Sequence, residues 1–403
     1  MTLSEELTWR GFVNQMTFAD ISDLDTELRT FYWGVDPSAD SMTIGHLAPA
    51  MMIRHFINHG YKPILLVGGA TGMIGDPDGK KQERDLKTPE EVQHNVDGLV
   101  AQYKQIFDGE TFDLVNNMDW FKDIGYLDFL RTIGKNVSLT QMLDREFVQS
   151  RVGEGGAGIS YAEFSYSLIQ GYDFLHLFRE KGATLQIAGA DQWGNSIAGV
   201  SLIRKLESAE AYVLTTPLIV NKSTGVKFGK SEEGAVWLDE AKTSVFKFYQ
   251  FWLNTDDIGV VDYLKIYTLL PREEIERLTV TATSQPEERE AQKVLAYEVT
   301  KLVHGEARAE QARNVTAALF GDTPFEQLLD IELDMLALEI PVATSSSLVN
   351  ALVSTGVVSS NGEARRLIDS GAVSVNGQKR YDDCDVPVPS LIKKGKNTFI
   401  LVK

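Results

Sequence analysis

The sequence has a single cysteine, few basic residues and no long apolar run. Because Cys384 is alone, it excludes an internal disulfide bond and any zinc site built from several cysteines. No stretch of about 18 consecutive apolar residues occurs, so we expect no transmembrane helix. The acidic, mixed N-terminus also lacks the apolar core of a signal peptide. These absences predict a cytoplasmic protein without a membrane partner.

The scarcity of basic residues bears on nucleic acid as a partner. Acidic residues outnumber basic ones by 57 to 39, which gives a net charge of −18. This average disfavours RNA or DNA, because their phosphates are bound by Lys and Arg. From Ala343 to Lys403, however, eight basic residues stand against five acidic ones. A mildly basic tail on an acidic body is consistent with a small RNA-binding domain.

The first half of the chain alternates between apolar strand patterns and helical patterns. This alternation predicts an α/β fold with a Rossmann-like parallel sheet and helices on both faces. In such sheets, ligands bind at the carboxyl ends of the strands. The predicted strands are Thr30–Val35, Lys62–Gly69, Phe112–Asn116 and Thr184–Gly189, and the predicted helices are Gly45–Asn58, Glu90–Phe107, Phe164–Phe178 and Gln192–Leu206.

Further along the chain the pattern changes twice. Thr243 to Phe320 is mostly helical, and an Asn376-Gly377 turn between short elements indicates a compact α+β unit near the C-terminus. A length of 403 residues suggests two or three domains. We predict a Rossmann-like catalytic domain (1–220), a helical domain that begins with a lysine loop (221–337), a linker (338–347) and a small RNA-binding domain (348–403).

Two glycine-containing segments have the features of a polyphosphate site. In Asp36–His46, Gly45 and His46 fall at the predicted start of a helix, where N–H groups and the helix dipole favour an anion. In Lys227–Ser231, Lys227 and Lys230 flank a glycine and would neutralise phosphate charge. Taken alone, the first pattern equally fits a structural helix start, and the second fits a solvated basic loop.

Together, the two segments resemble the paired signatures of the class I aminoacyl-tRNA synthetases. Thr43 stands where the first histidine of that signature is usual, and it offers a hydroxyl without charge, so we expect it to contribute less than Gly45 and His46. Four longer segments are similar to the bacterial tyrosyl-tRNA synthetase family. These segments are Phe31–His46, Leu66–Arg84, Ala162–Leu177 and Gln186–Gly199.

One helix face in these segments carries polar residues where apolar ones are expected. Tyr166, Gln170 and Asp173 are spaced i, i+4 and i+7, which places them on one face. Buried polar groups need partners, either from the protein or from a ligand. The resemblance implies that Asp173 and Tyr32 contact the phenol of tyrosine. It also implies that Tyr166, Gln170 and Asp76 hold the ammonium group.

The resemblance also implies an ATP site and an RNA contact. Gln192 is expected at the tyrosine carbonyl and the adenylate, and Arg365 and Arg366 are expected at RNA phosphates, with exposed structural arginines as the alternative. Lys80 and Arg84 fit an exposed basic loop as well as they fit a role at pyrophosphate. The residues expected around ATP are Gly34, Asp36, Ser38, Gly45, His46, Lys80, Arg84, Gly189, Asp191, Lys227, Phe228, Lys230 and Ser231.

The implied activity is that of a homodimeric tyrosine–tRNA ligase. Such an enzyme activates L-tyrosine with ATP and Mg²⁺, without a protein-bound metal, and then transfers tyrosyl to the 3′ end of tRNA(Tyr). His46, Lys227 and Lys230 would supply charge stabilisation, and no residue would act as a covalent nucleophile. Three alternatives remain open: another nucleotidyltransferase of the superfamily, a tryptophanyl-tRNA synthetase, or an RNA-binding protein that has lost catalysis.

Overall fold

The computed structural model describes residues 1–77, 86–144, 146–153, 155–231, 234–321 and 323–403. It describes only the backbone of Gln141, Glu146, Phe147, Lys230 and Ser231. The predicted site residues Lys80 and Arg84 lie outside the described residues. The chain forms two compact units, the first made of Met1–Thr243 and Thr255–Leu295 and the second of Ser244–Asn254 and Ala296–Lys403. The three predicted boundaries between the domains and the linker stay predictions.

The first unit is built on a five-stranded parallel sheet, which confirms the predicted fold class. The strands, in chain order, are β1 Thr30–Val35, β2 Lys62–Val67, β3 Asp113–Asn116, β4 Ala183–Gly189 and β5 Tyr212–Thr216. Their order in the sheet is β3-β2-β1-β4-β5. The direction of winding therefore reverses between β1 and β4, which is where parallel sheets open a crevice for a ligand.

Helices connect these strands and make up most of the remaining chain. The helices are α1 Leu3–Arg10, α2 Ile44–Asn58, α3 Thr71–Ile74, α4 Pro89–Ile106, α5 Met118–Phe121, α6 Tyr126–Thr132, α7 Leu139–Leu143, α8 Glu146–Val152, α9 Tyr161–Lys181, α10 Trp193–Glu207, α11 Val245–Leu253, α12 Val260–Tyr267, α13 Arg272–Ser284, α14 Glu290–His304, α15 Glu306–Phe320, α16 Asp330–Ala337, α17 Leu348–Ser354 and α18 Asn361–Asp369. Among the described residues, no helix has both the length and the apolar content that crossing a membrane requires.

Local sequence explains why the elements near the crevice form. After its exposed first residue, β2 is buried, as its apolar run predicts for a strand covered on both faces. Helix α9 is capped at its start by Ser160, whose hydroxyl accepts from the Glu163 N–H, and at its end by Gly182 with a φ of 66°. Helix α2 begins after Thr43, whose N–H is bound by the side chain of His46. The cap of α2 is therefore part of the first phosphate motif.

The second unit contains its own sheet. Its strands are β8 Val342–Ala343, β9 Val373–Val375, β10 Gln378–Arg380, β11 Ser390–Lys394 and β12 Thr398–Val402; the two-residue strands β6 Lys230–Ser231 and β7 Gly234–Ala235 precede them in the first unit. The order is β10-β9-β11-β12-β8, with antiparallel pairing except between β12 and β8. Strand β8 lies within the segment predicted as a linker.

Candidate active site

A cavity of about 550 Å³ opens in the first unit, where the sheet reverses its winding. Most of the residues predicted for the site line it, although they come from distant parts of the chain. These residues are Tyr32, Gly34, Asp36, Ser38, Thr43, Gly45, His46, Asp76, Tyr166, Gln170, Asp173, Gly189, Asp191, Gln192, Lys227 and Phe228. Arg365 and Arg366 belong to the second unit, where both side chains are exposed on α18.

One end of the cavity is formed by the buried carboxyl group of Asp173. The Nδ2 atom of Asn117 donates to one carboxyl oxygen at 3.1 Å, and the indole Nε1 of Trp120 donates to the other at 2.9 Å. Burial raises the pKa of Asp173 to about 8, although both of these hydrogen bonds act to lower it. The carboxyl group is therefore poorly solvated, and a further hydrogen-bond donor from a ligand would stabilise it.

The hydroxyl of Tyr32 lies at the same end. Tyr32 is only 2 % exposed, and within the described residues its hydroxyl has no hydrogen-bond partner. Burial and then the nearby charge of Asp173 raise the pKa of Tyr32 well above 10, so it remains a neutral phenol that can donate. An unpartnered buried donor costs about 1–3 kcal/mol. A ligand group that accepts from Tyr32 and donates to Asp173 would satisfy both.

Two carboxylates, Asp36 and Asp76, form the middle of the cavity. The hydroxyl of Tyr166 donates to Asp36 Oδ2 at 2.6 Å, and the hydroxyl of Thr71 donates to Asp36 Oδ1 at 2.6 Å. The Nε2 atom of Gln192 donates to Asp76 Oδ2. Burial, followed by the charges of Asp36 and Asp76, raises the pKa of Tyr166. Two carboxylates that line the same cavity attract a cationic group such as an ammonium.

The far end of the cavity is suited to phosphate. The backbone N–H of Thr43 donates to His46 Nδ1 at 3.1 Å, and the Thr43 hydroxyl lies 3.2 Å from the same atom. Because Nδ1 accepts this bond, a neutral His46 carries its proton on Nε2. Burial lowers the pKa of His46, which favours the neutral ring. The start of α2 thus presents an imidazole N–H as a hydrogen-bond donor.

Lys227 and Phe228, which belong to the lysine loop Lys227–Ser231, line this end of the cavity. The Phe228 ring stacks on Tyr263 of α12 with 4.3 Å between ring centroids, and Tyr267 lies one turn further along at 5.9 Å. Gly229 follows with a φ of +97°, a conformation that favours glycine. The aromatic anchor therefore fixes the loop immediately before the turn that leads to Lys230.

Sequence comparison identifies the family to which this arrangement belongs. A family model described as "tRNA synthetases class I (W and Y)" matches residues 25–321. The chain belongs to this family. A second model, described as the tyrosine–tRNA ligase SYY-like C-terminal domain, matches residues 328–403. The resemblance inferred from the two phosphate motifs is therefore confirmed.

Similar proteins cover the full length of this synthetase. "Tyrosine--tRNA ligase 2" of Bacillus cereus is 48 % identical over 423 residues, covering 100 % of both chains. The tyrosine–tRNA ligase of Staphylococcus carnosus is 44 % identical over 419 residues, covering 100 % of this chain and 99 % of the relative. The C-terminally truncated mitochondrial tyrosyl-tRNA synthetase of Aspergillus nidulans has a TM-score of 0.70 and 30 % identity, covering 77 % of this chain and 92 % of that one.

Several residues of the site were not predicted from the sequence. Asn117 and Trp120 hold Asp173, and Thr71 donates to Asp36 while accepting from Asn117 at 3.1 Å. Asn117 directly follows a predicted strand, and this position could have identified it as a site residue. The short helix that carries Trp120 has no comparable pattern.

A smaller apolar recess adjoins the phosphate end of the cavity. Its volume is about 50 Å³, and it shares Gly45, Gly189 and Phe228 with the larger space. Its lining also includes Pro217, Leu218, Ile219 and Tyr267, none of which was predicted for the site, together with the charged residues Asp191 and Lys227. A flat group attached to the phosphates would fit this position.

Proposed function

We propose that this class I synthetase activates L-tyrosine with ATP and transfers the tyrosyl group to the 3′ end of tRNA(Tyr). The observation that carries the proposal is one end of the cavity, where the buried Tyr32 hydroxyl has no hydrogen-bond partner among the described residues and the buried carboxyl group of Asp173 is held by Asn117 and Trp120. The names of the full-length relatives support the same assignment.

The amino-acid end selects for a hydroxyl group. A phenolic OH can donate to Asp173 and accept from Tyr32 at the same time, which satisfies both buried groups. Phenylalanine has no such group, so it would offer no donor to Asp173 and would leave the Tyr32 hydroxyl unpaired. Tryptophan offers an indole N–H, which donates but does not accept, so the Tyr32 hydroxyl would stay unpaired. Each unsatisfied buried group costs about 1–3 kcal/mol, so tyrosine is favoured over both competitors.

The rest of the cavity orients tyrosine and ATP for adenylate formation. The ammonium group of tyrosine lies among Asp76, Tyr166 and Gln170, and its carboxylate faces Gln192. A carboxylate oxygen attacks the α-phosphorus, and the bond from that phosphorus to the pyrophosphate oxygen breaks. His46, through its Nε2–H, and Lys227 stabilise the negative charge that develops on the phosphates. Mg²⁺ enters with ATP as its counter-ion.

The ends of the strands offer a position for the adenosine end of the substrate. The ribose lies near Gly189 and Asp191 at the end of β4, and the adenine ring occupies the apolar recess beside Leu218. This placement holds the α-phosphate between the tyrosine site and His46. Catalysis therefore rests on positioning and on fixed charges, with no covalent enzyme intermediate.

The second step and its RNA partner are inferred from chemistry and from the second unit. The terminal ribose hydroxyl of the tRNA attacks the tyrosyl carbonyl carbon, and AMP leaves. Arg365 and Arg366 are exposed on α18 and are suited to bind phosphates of the same tRNA. These two exposed arginines, in the mildly basic C-terminal segment of an acidic chain, support an RNA contact by this domain.

We further propose that the protein functions as a homodimer in the cytoplasm. Large apolar side chains are exposed between α6 and the start of α9 in the first unit, and a contiguous exposed apolar patch commonly marks a protein–protein contact. The exposed residues include Tyr126 (63 %), Leu127 (77 %), Leu139 (60 %), Val152 (55 %) and Tyr161 (61 %). A second copy of the chain would cover them.

ATP–pyrophosphate exchange tests this function directly. We expect exchange to depend on tyrosine and to stay at background with phenylalanine or tryptophan at equal concentration. Charging of tRNA(Tyr) should then follow with the same protein. Exchange driven by tryptophan, or exchange without any amino acid, would contradict the assignment and favour one of the alternatives within the superfamily.

A further inference from the structure

The side chain of Gln102, on α4, is only 7 % exposed and packs against the segment that leads into the first phosphate motif. Its Oε1 atom accepts from the Met42 N–H at 2.6 Å, and its Nε2 atom donates to the Ser41 hydroxyl at 2.8 Å. Both ends of the amide are therefore used, and a flipped amide would lose both bonds. The side chain has one compatible orientation.

The hydroxyl of Ser41 extends this contact to the lysine loop. It accepts from the backbone N–H of Asp239 at 3.3 Å and donates to the Met42 carbonyl at 2.9 Å. Asp239 lies in the segment that returns from the lysine loop. One buried hydroxyl thus contacts three separate parts of the chain: α4, the first phosphate motif and the return segment of the second motif.

Backbone hydrogen bonds continue the connection between the two motifs. The Leu238 N–H donates to the Met42 carbonyl at 2.9 Å, and the Ile44 N–H donates to the Val236 carbonyl at 3.1 Å. The Val236 N–H in turn donates to the carbonyl of Gly229, inside the lysine loop, at 3.0 Å. A displacement of Met42–Ile44 would therefore move both phosphate-binding segments.

The same face of α4 is shaped to hold this segment along its length. Asn95 Nδ2 donates to the Pro37 carbonyl at 2.9 Å. A Cβ atom at Gly98 would lie 2.1 Å from the Asp40 carbonyl oxygen, so only glycine permits this approach. Asn95, Gly98 and Gln102 are spaced i, i+3 and i+7, which places them on one side of the helix. Asp40, in the same segment, also forms an ion pair with Lys242 at 2.8 Å, which connects this segment to the end of the return segment.

We infer that Gln102 is a positioning residue for the ATP-dependent step. It does not line the cavity formed by the described residues, and it acts by fixing Ser41 and Met42 so that His46 and the lysine loop face the same phosphates. The tyrosine end of the cavity is held by other segments, through Asn117 and Trp120. Loss of the Gln102 amide should therefore affect the reaction of ATP and leave tyrosine binding intact. This inference rests on the proposed function.

Gln102→Met tests the inference, because methionine keeps the approximate length and removes both hydrogen bonds. With two buried hydrogen bonds lost, we expect the rate of adenylate formation to fall at least about tenfold in rapid-quench or stopped-flow measurements. The dissociation constant of tyrosine should stay within about twofold. Gln93→Met is the matched control, since Gln93 lies exposed on the same helix and donates to Asp97 on its outer surface. The control should retain the wild-type rate.

A second variant keeps the test valid if Gln102→Met does not fold. Ser41→Ala removes the hydroxyl that joins Gln102 to Met42 and Asp239, with a smaller change in volume. The rate of adenylate formation should fall in the same way. Because the two side chains act through one junction, the double variant should be little worse than either single variant. Additive losses would overturn the inference, as would equal losses in rate and in tyrosine affinity.

The outcomes also separate this inference from the proposed function. If the wild-type protein fails to exchange pyrophosphate with tyrosine, the proposed function is wrong. If the wild type is active and Gln102→Met matches the Gln93→Met control in every constant, the function stands and the positioning role of Gln102 is refuted.

Discussion

The buried carboxyl group of Asp173 should make the ligand-free protein less stable as the pH rises. Its pKa is about 8 in the folded protein, because burial disfavours the charged form, against an ordinary value of 3.8. Below pH 4 the group is protonated in both the folded and the unfolded protein, so it does not change the free energy of unfolding. Between pH 4 and 8 the folded protein holds one proton that the unfolded chain has released. Stability is therefore lost as the pH rises through this window.

The size of this effect follows from proton linkage. One extra proton bound by the folded state lowers the free energy of unfolding by about 1.4 kcal/mol per pH unit. From pH 5 to pH 8 the loss amounts to about 4 kcal/mol at most. Asp173→Asn cannot titrate, so its stability profile should lack this slope. The difference between wild type and variant isolates the effect, because all other titrating groups are common to both.

Urea unfolding at pH 5, 6.5 and 8, without ligands, measures this difference. We expect the free energy of unfolding of Asp173→Asn, relative to the wild type, to increase steadily with pH. The same variant should lose at least about tenfold in tyrosine-dependent pyrophosphate exchange, since an NH2 donor replaces one of the two acceptor oxygens that Asn117, Trp120 and the phenol share. Asp108→Asn, an exposed substitution, is the control and should leave the wild-type profile unchanged. Parallel profiles for wild type and Asp173→Asn would refute the reasoning.

Three further predictions concern the phosphate end and the RNA contact. His46→Ala should slow adenylate formation by about 10²-fold or more while tyrosine affinity changes little; a rapid-quench burst that shows equal losses in both would contradict this role. Phe228→Ala removes the stack on Tyr263 and should raise the KM for ATP several-fold in exchange assays, with the KM for tyrosine as the internal control. Arg365→Ala combined with Arg366→Ala should weaken tRNA binding and reduce its salt dependence while exchange stays at the wild-type rate, and unchanged filter binding would exclude a phosphate contact.

Much of the fold could be predicted because its signals are local. The continuous apolar run of β2 and the polar face of α9 both depend on spacing within a few residues, and both elements form where predicted. Strand β5 was not predicted, although its Tyr, Val and Thr residues favour a strand. Strand β11 was not predicted either, and it pairs with both β9 and β12.

The site divides in the same way between local and long-range information. Spacing along the chain predicts which residue types stand at the ends of strands and on the face of α9, because backbone geometry alone places them there. The surroundings of these residues depend on contacts between distant segments. Asp36 meets Tyr166 across 130 residues, and Asp173 meets Trp120 and Asn117 across 53 and 56 residues. Burial then sets the pKa of Asp173, and burial depends on every packed segment at once, which no local pattern records.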